Sequence, residues 1–337
     1  MINARVVVVG AGEISNYWFP PLREEKVHVA AVVDINPDSA REKCKKFSID
    51  AEVGNDLAEM LRRTRPDFVL DLTTPDAHCS VTCTALRAGC HVLGEKPMAP
   101  DIEQARKMVR TAEQSGKMYM VSQSRRWEIN HFALRDMINE GAIGELTTLN
   151  CDFFIGAHFG GFRDEMKSPL ILDMAIHHFD LARFFSRTDP LNVYAQEFNP
   201  KNSWYKGAAA ANCIFEMSNG IVFTYRGSWC AESCHTSWNG DWRVTGDKGT
   251  LLYQLDQPPR GQAVAGAEGF CRPLRDIDVK NTSLKYTGMH AALREMLDFL
   301  RTGSKTQTEC HDNIKSLAMV FAAQESSQKG SRVKINF

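Results

Sequence analysis

The chain has 337 residues, with 40 Lys plus Arg against 41 Asp plus Glu and a formal net charge of −1. At roughly 100–200 residues per domain this length suggests two domains, and 43% hydrophobic with 24% charged residues is ordinary for a globular protein. The charge balance excludes the concentrated basic footprint of nucleic-acid binding and an acidic disordered chain. The longest apolar runs are strand-sized, whereas a membrane-spanning helix needs about 20 apolar residues.

The start of the chain shows no secretory signal pattern. Ten cysteines are scattered without a CxxC pair. Reduced, structural thiols in a cytoplasmic protein are expected, and no zinc set.

Residues 5–9 form a continuous β-branched run, the mark of a strand buried on both faces of a parallel sheet. Gly10-Ala11-Gly12 follows. Residues 27–34 make a second apolar strand, and 36–47 a polar helix. Residues 67–72 are another buried strand, 77–88 a helix closed by Gly89, and 91–93 a short strand. Asp101 with Gln104 is a capping-box-like start for a helix ending near Gly116, before a strand at 118–121. Such strand–helix repeats predict a doubly wound parallel sheet.

After about Gln123 the pattern changes. A helix near 131–140 precedes longer strands joined by hairpins. Asn219-Gly220 separates strands 209–217 and 221–229, and Asn-Gly is a strong two-residue hairpin signal. The turn at 246–249 separates 242–245 from 250–255 in the same manner. An antiparallel or mixed sheet is expected, with helices at 171–185, 290–301 and 313–327 on one face, and loop at 257–285.

Gly10-Ala11-Gly12-Glu13-Ile14-Ser15 fits GxGxxG with Ser in the third place. The first Gly permits a tight turn, the second lets backbone approach a pyrophosphate, and the third position needs only a small residue. Amides at the helix N-terminus then hold the anion. Pro20-Pro21 is expected to end this helix early. Asp34 closes the second strand, where a carboxylate accepts from ribose hydroxyls. Its charge repels a 2′-phosphate, so NAD is expected over NADP.

Two segments lie at carboxyl ends of parallel strands, where ligands bind in such sheets. They are Thr73-Thr74-Pro75-Asp76-Ala77-His78 and Glu95-Lys96-Pro97-Met98-Ala99. The Lys96–Pro97 bond has an appreciable chance of being cis. A Lys there can reach a nicotinamide and a substrate oxygen, although spacing alone favours a surface Lys. Further on, Asp173 and His177 are an i,i+4 pair on one helical face, with Asp180 a turn beyond. His177 is assigned to a cleft and His178 to packing. Adjacent histidines point about 100° apart, so no metal is expected there. Trp127, Phe159 and Trp238 can stack on a sugar or fill the core. Arg126 and Arg163 can reach substrate oxygens or sit in surface ion pairs.

These residues, together with Gly141-Ala142-Ile143-Gly144-Glu145, resemble the Gfo/Idh/MocA family, whose relatives include glucose-fructose oxidoreductase and inositol 2-dehydrogenase. The resemblance implies an α/β chain: a Rossmann domain over 1–123 and a substrate-binding, oligomerising α/β domain over 124–337, with an open, largely antiparallel sheet. It implies a nicotinamide-dependent oxidoreductase acting on a hydroxyl-bearing carbon of a sugar or cyclitol. Family roles carry over to Lys96, Asp173 and His177 as catalytic, while Arg126, Trp127 and Arg163 join Asp173 and His177 as candidate substrate contacts on the residues alone. Gly10, Gly12, Glu13, Ile14, Asp34, Thr74, Pro75, His78, Glu95 and Lys96 fall on the cofactor side. A homodimer or homotetramer through the open sheet is implied. Strand 221–229 would place Ile221, Phe223, Tyr225 and Trp229 on one face and Val222, Thr224, Arg226 and Ser228 on the other.

Ser15 and Ala175 depart from the glycines frequent in the family, and Ser168-Pro169-Leu170-Ile171-Leu172 replaces a glycine run. Two alternatives remain open: NAD-dependent glycosidic cleavage by oxidation and elimination, and a non-catalytic nucleotide-sensing regulator.

Overall fold

The computed structural model describes residues 4–279 and 282–337. The chain divides into two compact units, Met1–Ser124 with Tyr286–Ile314, and Arg125–Lys285 with Lys315–Phe337. The first unit therefore also takes up a C-terminal segment.

In the first unit, strands β1 (Arg5–Val9), β2 (His28–Val33), β3 (Glu52–Gly54), β4 (Phe68–Asp71), β5 (His91–Gly94) and β6 (Tyr119–Val121) alternate with α1 (Ser15–Glu24), α2 (Pro37–Phe47), α3 (Leu57–Thr64), α4 (Pro75–Arg87) and α5 (Ile102–Ser115). The sheet order is β3-β2-β1-β4-β5-β6 and every pairing is parallel. Val6, Val7 and Val8 are wholly buried, as central strands of a sheet covered on both faces require. The strand order reverses between β1 and β4, where such sheets open a crevice at their carboxyl ends.

Helix α1 does not stop at the prolines: Pro20 and Pro21 lie inside it. Burial of Trp18, Phe19, Pro21 and Leu22 along its inner face outweighs the lost backbone bonds. Asp56 and Asp101 cap α3 and α5, accepting from Glu59 N and Gln104 N.

The second unit carries α6 (Ile129–Asn139), β7 (Leu146–Phe154), the short α7 (Phe162–Glu165), a π-helical turn at Leu170–Ala175, α8 (Ile176–Ser186), β8 (Pro190–Phe198), β9 (Ala210–Met217), β10 (Val222–Ser228), β11 (Asp241–Gly246), β12 (Gly249–Tyr253), β13 (Arg260–Val264) and β14 (Leu274–Asp276). Helix α9 (Gly288–Thr302) belongs to the first unit, α10 (Cys310–Lys329) follows, and β15 (Val333–Lys334) ends the second sheet. That sheet runs β14-β13-β12-β11-β7-β10-β9-β8-β15. The β7–β10 pair is parallel and the others antiparallel.

Both anticipated hairpins form, with the first loop one residue longer than Asn-Gly alone. Asn219 and Gly220 have φ of 62° and 73°, and Met217 N donates to Ile221 O across Ser218–Gly220. The stretch expected to be loop holds β13 and β14. β14 is the edge strand and β13 lies between it and β12, and Ala263 is the one core residue the two contain, so no apolar pattern marks them. Two residues of that stretch, 280–281, lie outside the described ones.

On β10, Phe223 and Tyr225 are buried while Thr224 and Arg226 face outward. Phe179 of α8 packs edge-on against Phe215, Phe223 and Tyr225, and Phe185 against Trp242. Ser326 and Ser327 of α10 accept from Ala195 N and Glu197 N of β8. Among the described residues no helix is long and apolar enough to cross a membrane, and the cysteines are unpaired.

His131 on α6 is wholly buried, its Nδ1 donating to Arg125 O at 2.6 Å and its ring edge-on to Phe185 and Tyr253. Burial pushes its pKa down from 6.5 to about 4. Between those values the unfolded chain binds a proton that the native chain refuses, so stability falls as pH drops through this window. His131→Phe leaves Arg125 O without its donor and is less stable at neutral pH by about 1 kcal/mol. On acidification to about pH 5 the wild type should lose roughly 2 kcal/mol relative to the variant, so that the variant becomes the more stable by about 1 kcal/mol, measured by urea unfolding.

Candidate active site

The carboxyl edge of the first sheet collects most of the predicted residues. Gly10 has φ +97°, and a Cβ there would lie 2.6 Å from Leu72 O, so only glycine passes. Gly10 N donates to Val33 O at 2.8 Å. A Cβ on Gly12 would meet nothing within 4 Å, which leaves open space above the turn. Ser15 is buried, and its hydroxyl donates to Gly12 O at 2.6 Å, filling the third position of the motif. Glu13 is exposed and Ile14 caps α1 without a side-chain bond. Asp34 accepts from Ala11 N through Oδ2 at 2.7 Å and from Asn36 N through Oδ1 at 2.8 Å. Each of its oxygens keeps lone-pair capacity for a further donor.

The second segment is organised by a carboxylate that motif reading passed over. Asp71 ends β4 and is wholly buried. It accepts from Thr73 Oγ1 at 2.6 Å and Thr82 Oγ1 at 3.1 Å, with His78 Nδ1 at 3.2 Å. Thr74 caps α4 and Pro75 opens it. His78 Nε2 is buried with no hydrogen-bond partner.

The third segment follows β5. The Lys96–Pro97 bond is cis. Glu95 is buried and accepts from Trp18 Nε1 at 2.8 Å and Lys96 N at 3.2 Å. Burial pushes its pKa up, against the Trp18 hydrogen bond and the Lys96 charge that favour the carboxylate. Lys96 is half-buried. These residues fit a dinucleotide: an open glycine turn at a helix start, a carboxylate beyond it, and a Lys at the same edge.

In the second unit, Asp173 lies in the π-helical turn and His177 in the first turn of α8, so the regular α spacing assumed between them is broken at the junction. Pro169 sits immediately before the π turn and cannot donate a backbone bond. Arg163 Nε donates to Asp173 Oδ2 at 2.6 Å, and its guanidinium lies 4.9 and 4.7 Å from the Phe159 and Phe162 rings. His177 is 9% exposed. His178 is wholly buried among Phe153, Tyr225 and Trp242, which lowers its pKa through burial and then the Arg125 charge.

Two expected substrate contacts read differently. Arg126 is 5% exposed, and its Nε and Nη2 form a bidentate pair with Asp180, both at 2.7 Å. Ser316 Oγ also donates to Asp180 at 2.7 Å, so this cluster is a core anchor. Trp127 is 4% exposed and packs as core. Phe159 and Trp238, by contrast, are 48% and 43% exposed with ring centroids 6.0 Å apart. Trp18, Asp71 and Phe162 were missed. The one available signal was Asp71, a charge inside an apolar strand.

Residues 4–123 match the profile described as "Oxidoreductase family, NAD-binding Rossmann fold", and residues 131–252 match the GFO/IDH/MocA C-terminal domain. The chain belongs to the Gfo/Idh/MocA oxidoreductases. It is 27% identical to D-apiose dehydrogenase of Rhizobium rhizogenes over 91% of this chain and 90% of that protein. It is 34% identical to inositol 2-dehydrogenase of an Arthrobacter species over 56% of each chain. A solved oxidoreductase from Agrobacterium radiobacter, in complex with NAD+, L-tartaric acid and magnesium, shares the fold with a TM-score of 0.86, 23% identity and 99% coverage of both chains.

The two arginines should separate by stability. Arg126→Met strands a buried carboxylate and costs about 3–5 kcal/mol. Arg163→Met, in a partly exposed pair, costs about 1 kcal/mol. Urea unfolding of both variants measures the difference.

Proposed function

We propose that the chain transfers hydride to or from a hydroxyl-bearing carbon of a neutral sugar or cyclitol, with NAD as cofactor. The observation that carries this reading is the shared carboxyl edge of the first sheet, with the Gly10–Gly12 turn, Asp34, the Asp71-anchored loop and Lys96. Gly10, Gly12, Glu13, Ile14, Asp34, Thr74, Pro75, His78, Glu95 and Lys96 would hold the cofactor. Asp34 takes the ribose hydroxyls, and its negative charge disfavours a 2′-phosphate. When bound, the nicotinamide supplies the hydride-accepting and hydride-donating centre.

His177 takes the hydroxyl proton onto a ring nitrogen in oxidation and returns it in reduction. Lys96 donates a hydrogen bond to the same oxygen and stabilises its developing negative charge. Asp173, which accepts from Arg163, would also accept from a neighbouring substrate hydroxyl. Phe159 and Trp238 offer exposed ring faces to the apolar side of a sugar. The relatives named D-apiose dehydrogenase and inositol 2-dehydrogenase support this substrate class.

We also assign self-association to the outward face of the second sheet. Tyr194 and Ile214 are 48% and 49% exposed there, beside Thr224 and Arg226. A homodimer or homotetramer would cover them.

Screening NAD and NADP reduction against sugars and cyclitols, with glycoside cleavage followed in parallel, tests the reaction. Net reduced cofactor supports it, and cleavage without net reduction rejects it. Lys96→Met and His177→Asn should each depress turnover by about 10²-fold or more with NAD binding largely intact, since the other cofactor-side residues remain. Near-normal turnover in either removes that residue's role. Asp34→Ala should lose the preference for NAD over NADP in a binding titration.

A further inference from the structure

We infer that Glu309, Cys310 and His311 form a binding site for a divalent transition-metal ion of the zinc class, with Glu113 as the outer partner of the imidazole. The hydride-transfer reading uses none of these four residues, and all belong to the first unit.

The geometry begins with a helix cap. Glu309 O accepts from Asp312 N and Asn313 N, both at 2.9 Å, and its Oε2 accepts from His311 N at 3.2 Å. This turns the Glu309 side chain back over the first turn of α10. The segment is tied to β6, because Thr308 O accepts from Val121 N and Glu309 bridges Met120. Three consecutive side chains therefore converge. His311 Nδ1 lies 2.6 Å and Cys310 Sγ 3.0 Å from Glu309 Oε1, and Sγ is 3.7 Å from Nδ1. This is the one grouping of three or more His, Cys, Asp or Glu among the described residues that brings its donor atoms within 4.8 Å of one another.

The donor set is thiol, imidazole and carboxylate, the set that zinc and its relatives take in tetrahedral sites. With metal–ligand bonds of about 2.0–2.3 Å at tetrahedral angles, two ligands stand roughly 3.3–3.6 Å apart, near the Sγ–Nδ1 separation of 3.7 Å. The Oε1–Nδ1 and Oε1–Sγ pairs must each open by roughly half an ångström or a little more as their protons leave. His311 Nε2 is 2.9 Å from Glu113 Oε1. That is the carboxylate–histidine arrangement that fixes a ligating ring and raises its basicity. The Cys310 sulfur lies beneath, fully buried, while the side chains of His311 and Glu113 are 51% and 53% exposed. An ion thus has an entry path, and a fourth position remains for water.

The charge balance closes. The empty cluster holds two carboxylates, an imidazolium between them and a thiol. Loading releases the Cys310 proton and one His311 proton and adds one divalent cation, so the net charge is unchanged. The role is structural: the ion would fix the first turn of α10 and, through the His311–Glu113 pair, join it to α5.

The test uses the full chain with Cys234→Ser and Cys271→Ser, which remove the two exposed thiols. After chelation and dialysis, Co2+ is titrated optically and Zn2+ calorimetrically. One equivalent per chain with a thiolate-to-cobalt charge-transfer band is expected. Cys310→Ser should abolish the band, and Glu113→Gln should weaken binding by about 10–100-fold without loss of fold. Zinc should raise the melting temperature of the parent but not of Cys310→Ser. Absence of a thiolate band in the parent, or a band that persists in Cys310→Ser, overturns the site.

Discussion

The carboxyl end of β1 passes directly beneath the backbone leaving β4. Gly10 crosses so close to the Leu72 carbonyl that a methyl group would occupy the same space, and its positive φ turns the chain within one residue. The constraint has consequences on either side. With Gly10 N bonded to Val33 O, the chain emerges with Ala11 N aimed at the Asp34 carboxylate. One steric requirement thus aligns the ends of three neighbouring strands. The open space above Gly12 is what remains once that alignment is set, and the first amides of α1 turn back onto Gly12 O, Glu13 O and Ile14 O at its rim.

Buried carboxylates then hold the loops that this edge presents, and each is matched to a different partner chemistry. Asp71 gathers two threonine hydroxyls and an imidazole. Glu95 is held by an indole N–H and its own neighbouring amide. Asp180 takes a guanidinium fork and a serine hydroxyl. A buried charge is costly unless its lone pairs are filled. Glu95 is the least compensated of the three, facing neutral donors and one nearby ammonium, and burial accordingly raises its pKa. The Lys96 amide donates to this carboxylate, so Glu95 holds the start of the turn after β5.

The first sheet was legible because parallel strands covered on both faces must be continuous apolar runs, and because glycine and proline mark their ends. The second was legible in its hairpins and in the alternation of β10. What escaped depends on contacts distant in sequence. Prolines 20 and 21 read as a stop, yet a helix whose inner face buries Trp18 and Leu22 tolerates them. Strands β13 and β14 carry no pattern because pairing, not burial, defines them. Arg126 and Arg163 look alike in sequence. Which one reaches a core carboxylate and which one lies between two phenyl rings is decided by where Asp180 and Asp173 fall, and a π turn altered that spacing.

That π turn has a chemical consequence for the carboxylate it displays. Asp173 Oδ2 accepts from the Arg163 guanidinium, which packs near the Phe159 and Phe162 rings and offsets the carboxylate's charge. A bare carboxylate would attract cations and repel acidic ligands. A neutralised one offers lone pairs at low charge, which is what alcohol hydroxyls require for directional recognition. Aromatic rings exposed beside it supply apolar contact without changing that balance. In the function proposed above, a hydroxyl-rich ligand would thus meet an ion pair rather than a lone carboxylate.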